Sequence, residues 1–212
     1  EANIHASVRH LEALIKMLRR EKCPKFYLHL FADGRDSGPQ SVLKILNRLS
    51  DDLGVDARSV LVSLSGRYYA MDRDKHWERT EKTYQVLTGM NPAKFSLEEA
   101  VKKTYTRNLN DEYIEPSVVG EPHFIGDNDA VICFNFRADR MRQLTSSLAL
   151  PGFVKFVRKN RRCPLVVTMT EYDKNFPVQV AFAPEPVRAP VAKVIADAGL
   201  RQLHLAETEK YA

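Results

Sequence analysis

The sequence predicts an α/β fold: a three-layer α/β/α sandwich around a mostly parallel or mixed central sheet. Three observations carry this. Short apolar runs of strand length alternate with segments of helical periodicity, the pattern of strand-helix units stacked on one sheet. Three of those runs hand over directly to Arg mixed with Asp, as happens at the carboxyl edge of open sheets where ligands bind. The chain has 212 residues, enough for one domain with a sizeable core.

Val8, Leu11, Leu14, Ile15 and Leu18 recur at helical spacing, so a first amphipathic helix is expected over about 3–20, with Asn3 or Ser7 as its cap. Pro24 ends it, and Phe26 to Phe31 reads as a buried strand. Ser37-Gly38-Pro39 then marks the start of a helix whose inner face is Val42, Ile45, Leu46 and Leu49. Val60 to Leu64 is a second strand, followed by a helix from about Asp74 to Leu87. Ser96 with Glu99 three residues later is a capping-box pattern. Asp111 to Pro122 has no regular period and is expected to cross the surface. Ala130 to Phe136, Pro164 to Met169, Val178 to Phe182 and Gln202 to Leu205 are further strand candidates. Helices are expected at Arg140 to Ser147 and Pro190 to Ala198, the second stopped by Gly199.

Charged residues make up 28% and hydrophobic ones 44%, and no apolar run is long enough to span a membrane. Cys23, Cys133 and Cys163 are widely spaced and form no C-x-x-C pair, which points to a reducing, cytoplasmic setting without a zinc site. The net charge of +5 is spread along the chain rather than gathered in a stripe, so no nucleic-acid partner is expected. There is no G-x-G-x-x-G, Walker or G-x-S-x-G sequence, and the six histidines show no metal-ligand spacing.

What remains is an arginine edge. Asp33-Gly34-Arg35-Asp36, the block from Gly66 through Arg67 and Arg73 to Asp74, and Arg137-Ala138-Asp139-Arg140 each follow an apolar run. Guanidinium forks bind phosphate and carboxylate bidentately and stay charged. Five on one edge repel one another unless carboxylates or a bound anion offset them, and a phosphorylated carboxylic acid is the simplest such anion. On the residues alone Asp36 and His5 each have a structural rival: Asp36 as a partner of Arg35 or a cap for the next helix, and His5 as a cap or packing group of the first helix. A phosphorylated-metabolite or RNA-phosphate binding module is the alternative reading of such an edge.

Taken with Glu207-Thr208-Glu209-Lys210-Tyr211-Ala212, these motifs resemble, in order and over essentially the whole chain, the cofactor-independent phosphoglycerate mutases, which interconvert 3- and 2-phosphoglycerate in glycolysis and gluconeogenesis. The resemblance implies that His5, Arg35, Asp36, Arg67, Arg73, Arg137, Arg140 and Lys210 contact substrate, with Asp36 moving protons. It also implies a second, alkaline-phosphatase-like domain that carries the phosphorylated serine and two Mn2+ or Mg2+ ions. None of that domain's motifs occurs here, so residues 1–212 are expected to form a monomeric substrate-binding domain that holds no metal and is inactive alone. One departure is that the family's glycines around His5 are replaced by Ala2-Asn3 and Ala6-Ser7, which narrows backbone freedom there.

Overall fold

The computed structural model describes residues 3–53, 60–90, 92–158, 164–185 and 187–205. Among the described residues six strands and seven α-helices occur in the order α1 (Val8–Arg20), β1 (Leu28–Ala32), α2 (Val42–Leu53), β2 (Leu61–Gly66), α3 (Arg67–Ala70), α4 (Trp77–Thr88), α5 (Leu97–Tyr105), β3 (Ser117–Val118), β4 (Ala130–Cys133), α6 (Arg142–Ala149), β5 (Leu165–Thr168), β6 (Gln179–Val180) and α7 (Val191–Asp197).

The architecture is α/β with parallel pairing dominant: β1 with β2, β4 with β5 and β5 with β6 run parallel, and β3 pairs antiparallel with β2. Every residue of β2 is buried, so both faces of that strand are covered. Among the described residues the strands fall into two three-stranded sheets, β1-β2-β3 and β4-β5-β6, where the sequence suggests one. Each sheet has its own core. Leu11, Ile15, Leu46, Leu49 and Leu64 build the first around β1, and Tyr84, Met141, Leu144, Val166 and Tyr172 build the second around β4. β1 and β4 both line an apolar cavity of about 790 Å3 between the two cores.

Local signals hold where the cap is local. Ser96 accepts from the Glu99 amide at 3.2 Å and Glu99 returns the bond, so α5 begins where the capping box places it. Gly199 adopts a φ of 71° after α7. Elsewhere tertiary contacts decide. Helix α2 starts at Val42 rather than at Gly38, because its first amides are taken by Asp111. The expected surface crossing over 111–122 is instead partly core: Asp111, Ile114, Ser117 and Val118 are buried, and Ser117–Val118 completes the first sheet. The block after β2 forms the short α3 before α4 begins at Trp77. The strand expected at 202–205 is absent, and that segment is exposed. Lys210 and Cys163 lie outside the described residues.

Candidate functional site

The ends of β1 and β2 point the same way because the strands are parallel, and the residues that follow them meet. Two glycines permit the approach. Gly34 has a φ of 64°, which a side chain would strain, and a Cβ there would lie 2.6 Å from the Glu112 amide nitrogen. A Cβ on Gly66 would lie 2.2 Å from the Glu112 carbonyl oxygen, so only glycine can precede Arg67.

Arg67 opens α3 and is nearly buried, at 3% exposure. Its Nη1 donates to Asp33 at 2.5 Å and to Asp36 at 2.6 Å. Burial works against the Arg67 charge, yet the Asp36 and Asp33 hydrogen bonds raise its pKa further. The reciprocal bond holds the Asp36 carboxyl below its ordinary value, so it is a carboxylate at neutral pH.

The end of β4 brings the second set. Phe136 N donates to the His5 carbonyl at 2.9 Å, tying the segment before α1 to this loop. Tyr172, buried, donates to the Cys133 and Asn135 carbonyls at 3.2 and 2.5 Å and braces the loop from below. Asp139 then gathers two arginines, Arg73 at 2.7 Å and Arg137 at 3.1 Å. Its burial disfavours ionisation, but Arg73 and Arg137 outweigh that and lower its pKa.

His5 stands between the two sets. Its Nε2 is 3.4 Å from Arg67 Nη2 and 3.7 Å from Asp36, and its Nδ1 is 3.8 Å from Asp139. Facing a guanidinium donor makes Nε2 the acceptor, which puts the proton on Nδ1, a buried atom without a hydrogen-bond partner among the described residues. Burial and then Arg67 lower the His5 pKa, so the ring is neutral near pH 7.

Arg140 differs from its neighbours. It is partly buried, donates to the Met71 carbonyl at 2.9 Å, and has no carboxylate within 4.0 Å of its guanidinium among the described residues. Burial and then the fields of Arg67 and Arg73 lower its pKa. With Arg35, whose side chain is 61% exposed and 3.5 Å from Glu112, it lines a polar cavity of about 160 Å3.

The structure therefore brings together His5, Arg35, Asp36, Arg67, Arg73, Arg137 and Arg140. Tyr68, Asp72, Asp74, Arg79, Glu112 and Tyr113 complete the small cavity; from sequence Tyr68 reads as core and Asp72 and Asp74 as structural, and Arg79, Glu112 and Tyr113 are not marked at all. Arg79 lies 3.9 Å over the Tyr68 ring and pairs with buried Asp72 at 3.2 Å. No pattern flags it, since an Arg in the first turn of a helix is an ordinary surface choice. Among the described residues no group of three or more His, Cys, Asp or Glu could hold a metal ion, and no helix is long and apolar enough to cross a membrane.

Residues 1–174 match the family model described as the BPG-independent PGAM N-terminus. The chain belongs to the BPG-independent phosphoglycerate mutase family. Relatives named 2,3-bisphosphoglycerate-independent phosphoglycerate mutase are 46% identical in Thermomicrobium roseum, over 100% of this chain and 42% of the relative, and 44% identical in Legionella pneumophila strain Philadelphia 1, over 99% and 41%. The Symbiobacterium thermophilum relative is 44% identical over 100% of this chain and 42% of its own length. The chain thus spans about two fifths of the mutases it matches. A crystal structure of Leishmania mexicana phosphoglycerate mutase at low cobalt concentration shares the fold, with a TM-score of 0.74 at 24% identity, covering 93% of this chain and 39% of that one.

Proposed function

We propose that this chain is the substrate-binding domain of a phosphoglycerate mutase, and that the arginine edge holds phosphoglycerate while its phosphoryl group moves. The observation that carries this is Arg140: a partly buried guanidinium without a carboxylate partner among the described residues, beside Arg35 on a cavity of about 160 Å3. The lining also holds Asp72, Asp74 and Glu112, but Asp72 is paired with Arg79 and Glu112 with Arg35, so Arg140 is the cation that favours an anionic occupant, and the cavity suits a triose-sized acid rather than a nucleotide.

In this reading Arg35, Arg73, Arg137 and Arg140 clamp phosphate and carboxylate, and Arg67 fixes Asp36 beside them. Asp36, held as a carboxylate, takes and returns the proton of the glycerate hydroxyl, while neutral His5 stands beside it between Arg67 and Asp139. The serine that accepts the phosphoryl group, and the two Mn2+ or Mg2+ ions that stabilise its charge, belong to a phosphatase-like domain outside this chain. The parent is a cytoplasmic glycolytic isomerase, and this domain alone is a monomer that binds and does not turn over.

Calorimetric titration with 3-phosphoglycerate at low salt, set against a single-stranded RNA oligomer, tests the reading, with a mutase assay in Mn2+ alongside. Saturable binding of phosphoglycerate without turnover is expected. Preference for RNA, or turnover by the chain alone, would overturn it.

A further inference from the structure

We infer that Asp111 is a positioning residue of the arginine site, holding the loop 33–41 so that Arg35 and Asp36 keep their places. Its consequence for binding rests on the function proposed above; its effect on the loop does not.

Asp111 is 1% exposed. Its Oδ2 accepts from the Ser41 amide at 2.8 Å and the Val42 amide at 2.9 Å, and its Oδ1 accepts from the Tyr105 hydroxyl at 2.5 Å. The first amides of α2 are therefore satisfied by a carboxylate seventy positions along the chain. The Ser41 hydroxyl, which could have capped locally, donates to the Gly38 carbonyl at 2.8 Å. A negative charge at a helix start is favourable, and full ligation offsets its burial.

The surrounding turn fastens the same loop at further points. Asp111 N donates to the Pro39 carbonyl at 2.7 Å, and Asn110 Nδ2 donates to the Gly34 carbonyl at 3.3 Å. Glu112 pairs with Arg35 at 3.5 Å. On its other side the turn receives the Gly66 amide at the Ile114 carbonyl, 2.7 Å away, beside Arg67. One buried turn thus sets the spacing between the loop after β1 and the start of α3. Helix α2 beyond its first turn is anchored independently by Leu46 and Leu49 in the first core. Loss of Asp111 should therefore loosen the loop and spare the helix.

The test uses the whole chain and three variants: Asp111→Ala, Asp111→Asn, which keeps an oxygen acceptor, and Tyr105→Phe. Amide exchange, the Asp36 titration by NMR and 3-phosphoglycerate affinity are read on each. For Asp111→Ala, exchange at Ser41 and Val42 should accelerate at least about tenfold while Leu46 and Leu49 hold, and affinity should fall about tenfold. The Asp36 titration should move up towards the ordinary carboxylate value as the Arg67 contact loosens. Asp111→Asn should restore most of each, and Tyr105→Phe should fall between. A folded Asp111→Ala chain with unchanged exchange and Asp36 titration would overturn the inference. If Asp111→Ala does not fold, wild-type exchange and titration in Tyr105→Phe would do so, and accelerated exchange would support it. Failure of the wild type to bind phosphoglycerate would sink the proposed function and leave the exchange result to decide this one.

Discussion

Arg67 and Asp36 face each other across 2.6 Å at the junction of β1 and β2, the arginine nearly buried and the carboxylate about a third exposed. Arg67 Nη1 is already committed to this acid and to Asp33, so its first contribution is to the shape of the site.

Arg67→Ala should therefore cost stability as well as affinity. Removing it leaves two carboxylates close together without their cation, a loss of about 2–4 kcal/mol, and Arg67→Lys should recover only part, because one ammonium can serve the two acids that Nη1 serves but not His5 Nε2 as well. Urea unfolding checks this, and a midpoint equal to wild type would contradict it.

Acid should weaken the fold before the carboxylates titrate. His29 lies in β1 against the large cavity, its Nδ1 2.8 Å from Ser63 Oγ, and burial, then His123, lowers its pKa from 6.5 to about 4. The folded chain keeps the ring neutral while the unfolded chain protonates it, so stability is whole above pH 6.5 and falls as the pH drops towards 4. The loss approaches at most about 3 kcal/mol, and His5 acts in the same direction. His29→Asn should flatten this part of the profile, as urea unfolding between pH 7 and about 4 would record. An unchanged slope would exclude His29 as the source.

Residues 187–205 contribute little to this fold. Helix α7 buries no residue, and Val187, Val191, Val194, Leu200, Leu203 and Leu205 are all exposed. Ending the chain at Glu185 should shift stability by no more than about 1 kcal/mol and reduce self-association. A large loss on calorimetric melting would show that the segment packs on the domain.

The strand ends were legible because each carries its signal locally, an apolar run followed by Gly, Arg and Asp. The start of α5 was legible for the same reason, since Ser96 and Glu99 cap one another. The start of α2 was not, because its cap comes from Asp111, which local sequence presents as one more loop acid. Residues 111–118 lack periodicity, yet Ser117 and Val118 pair with β2 and are buried along with Asp111 and Ile114, a tertiary effect that propensity cannot register. Nor can sequence say which arginine is spent on neighbouring acids. Arg67 and Arg140 look alike in their motifs, and only their surroundings separate a structural cation from one that lacks an anion.

That contrast gives the most direct test. Arg140→Ala removes a desolvated cation from beside Arg67 and Arg73, and should leave stability within about 1 kcal/mol of wild type while weakening 3-phosphoglycerate binding about 10- to 100-fold in calorimetric titration. Unchanged affinity in a fully folded Arg140→Ala chain would contradict the assignment of this edge as the phosphoglycerate site.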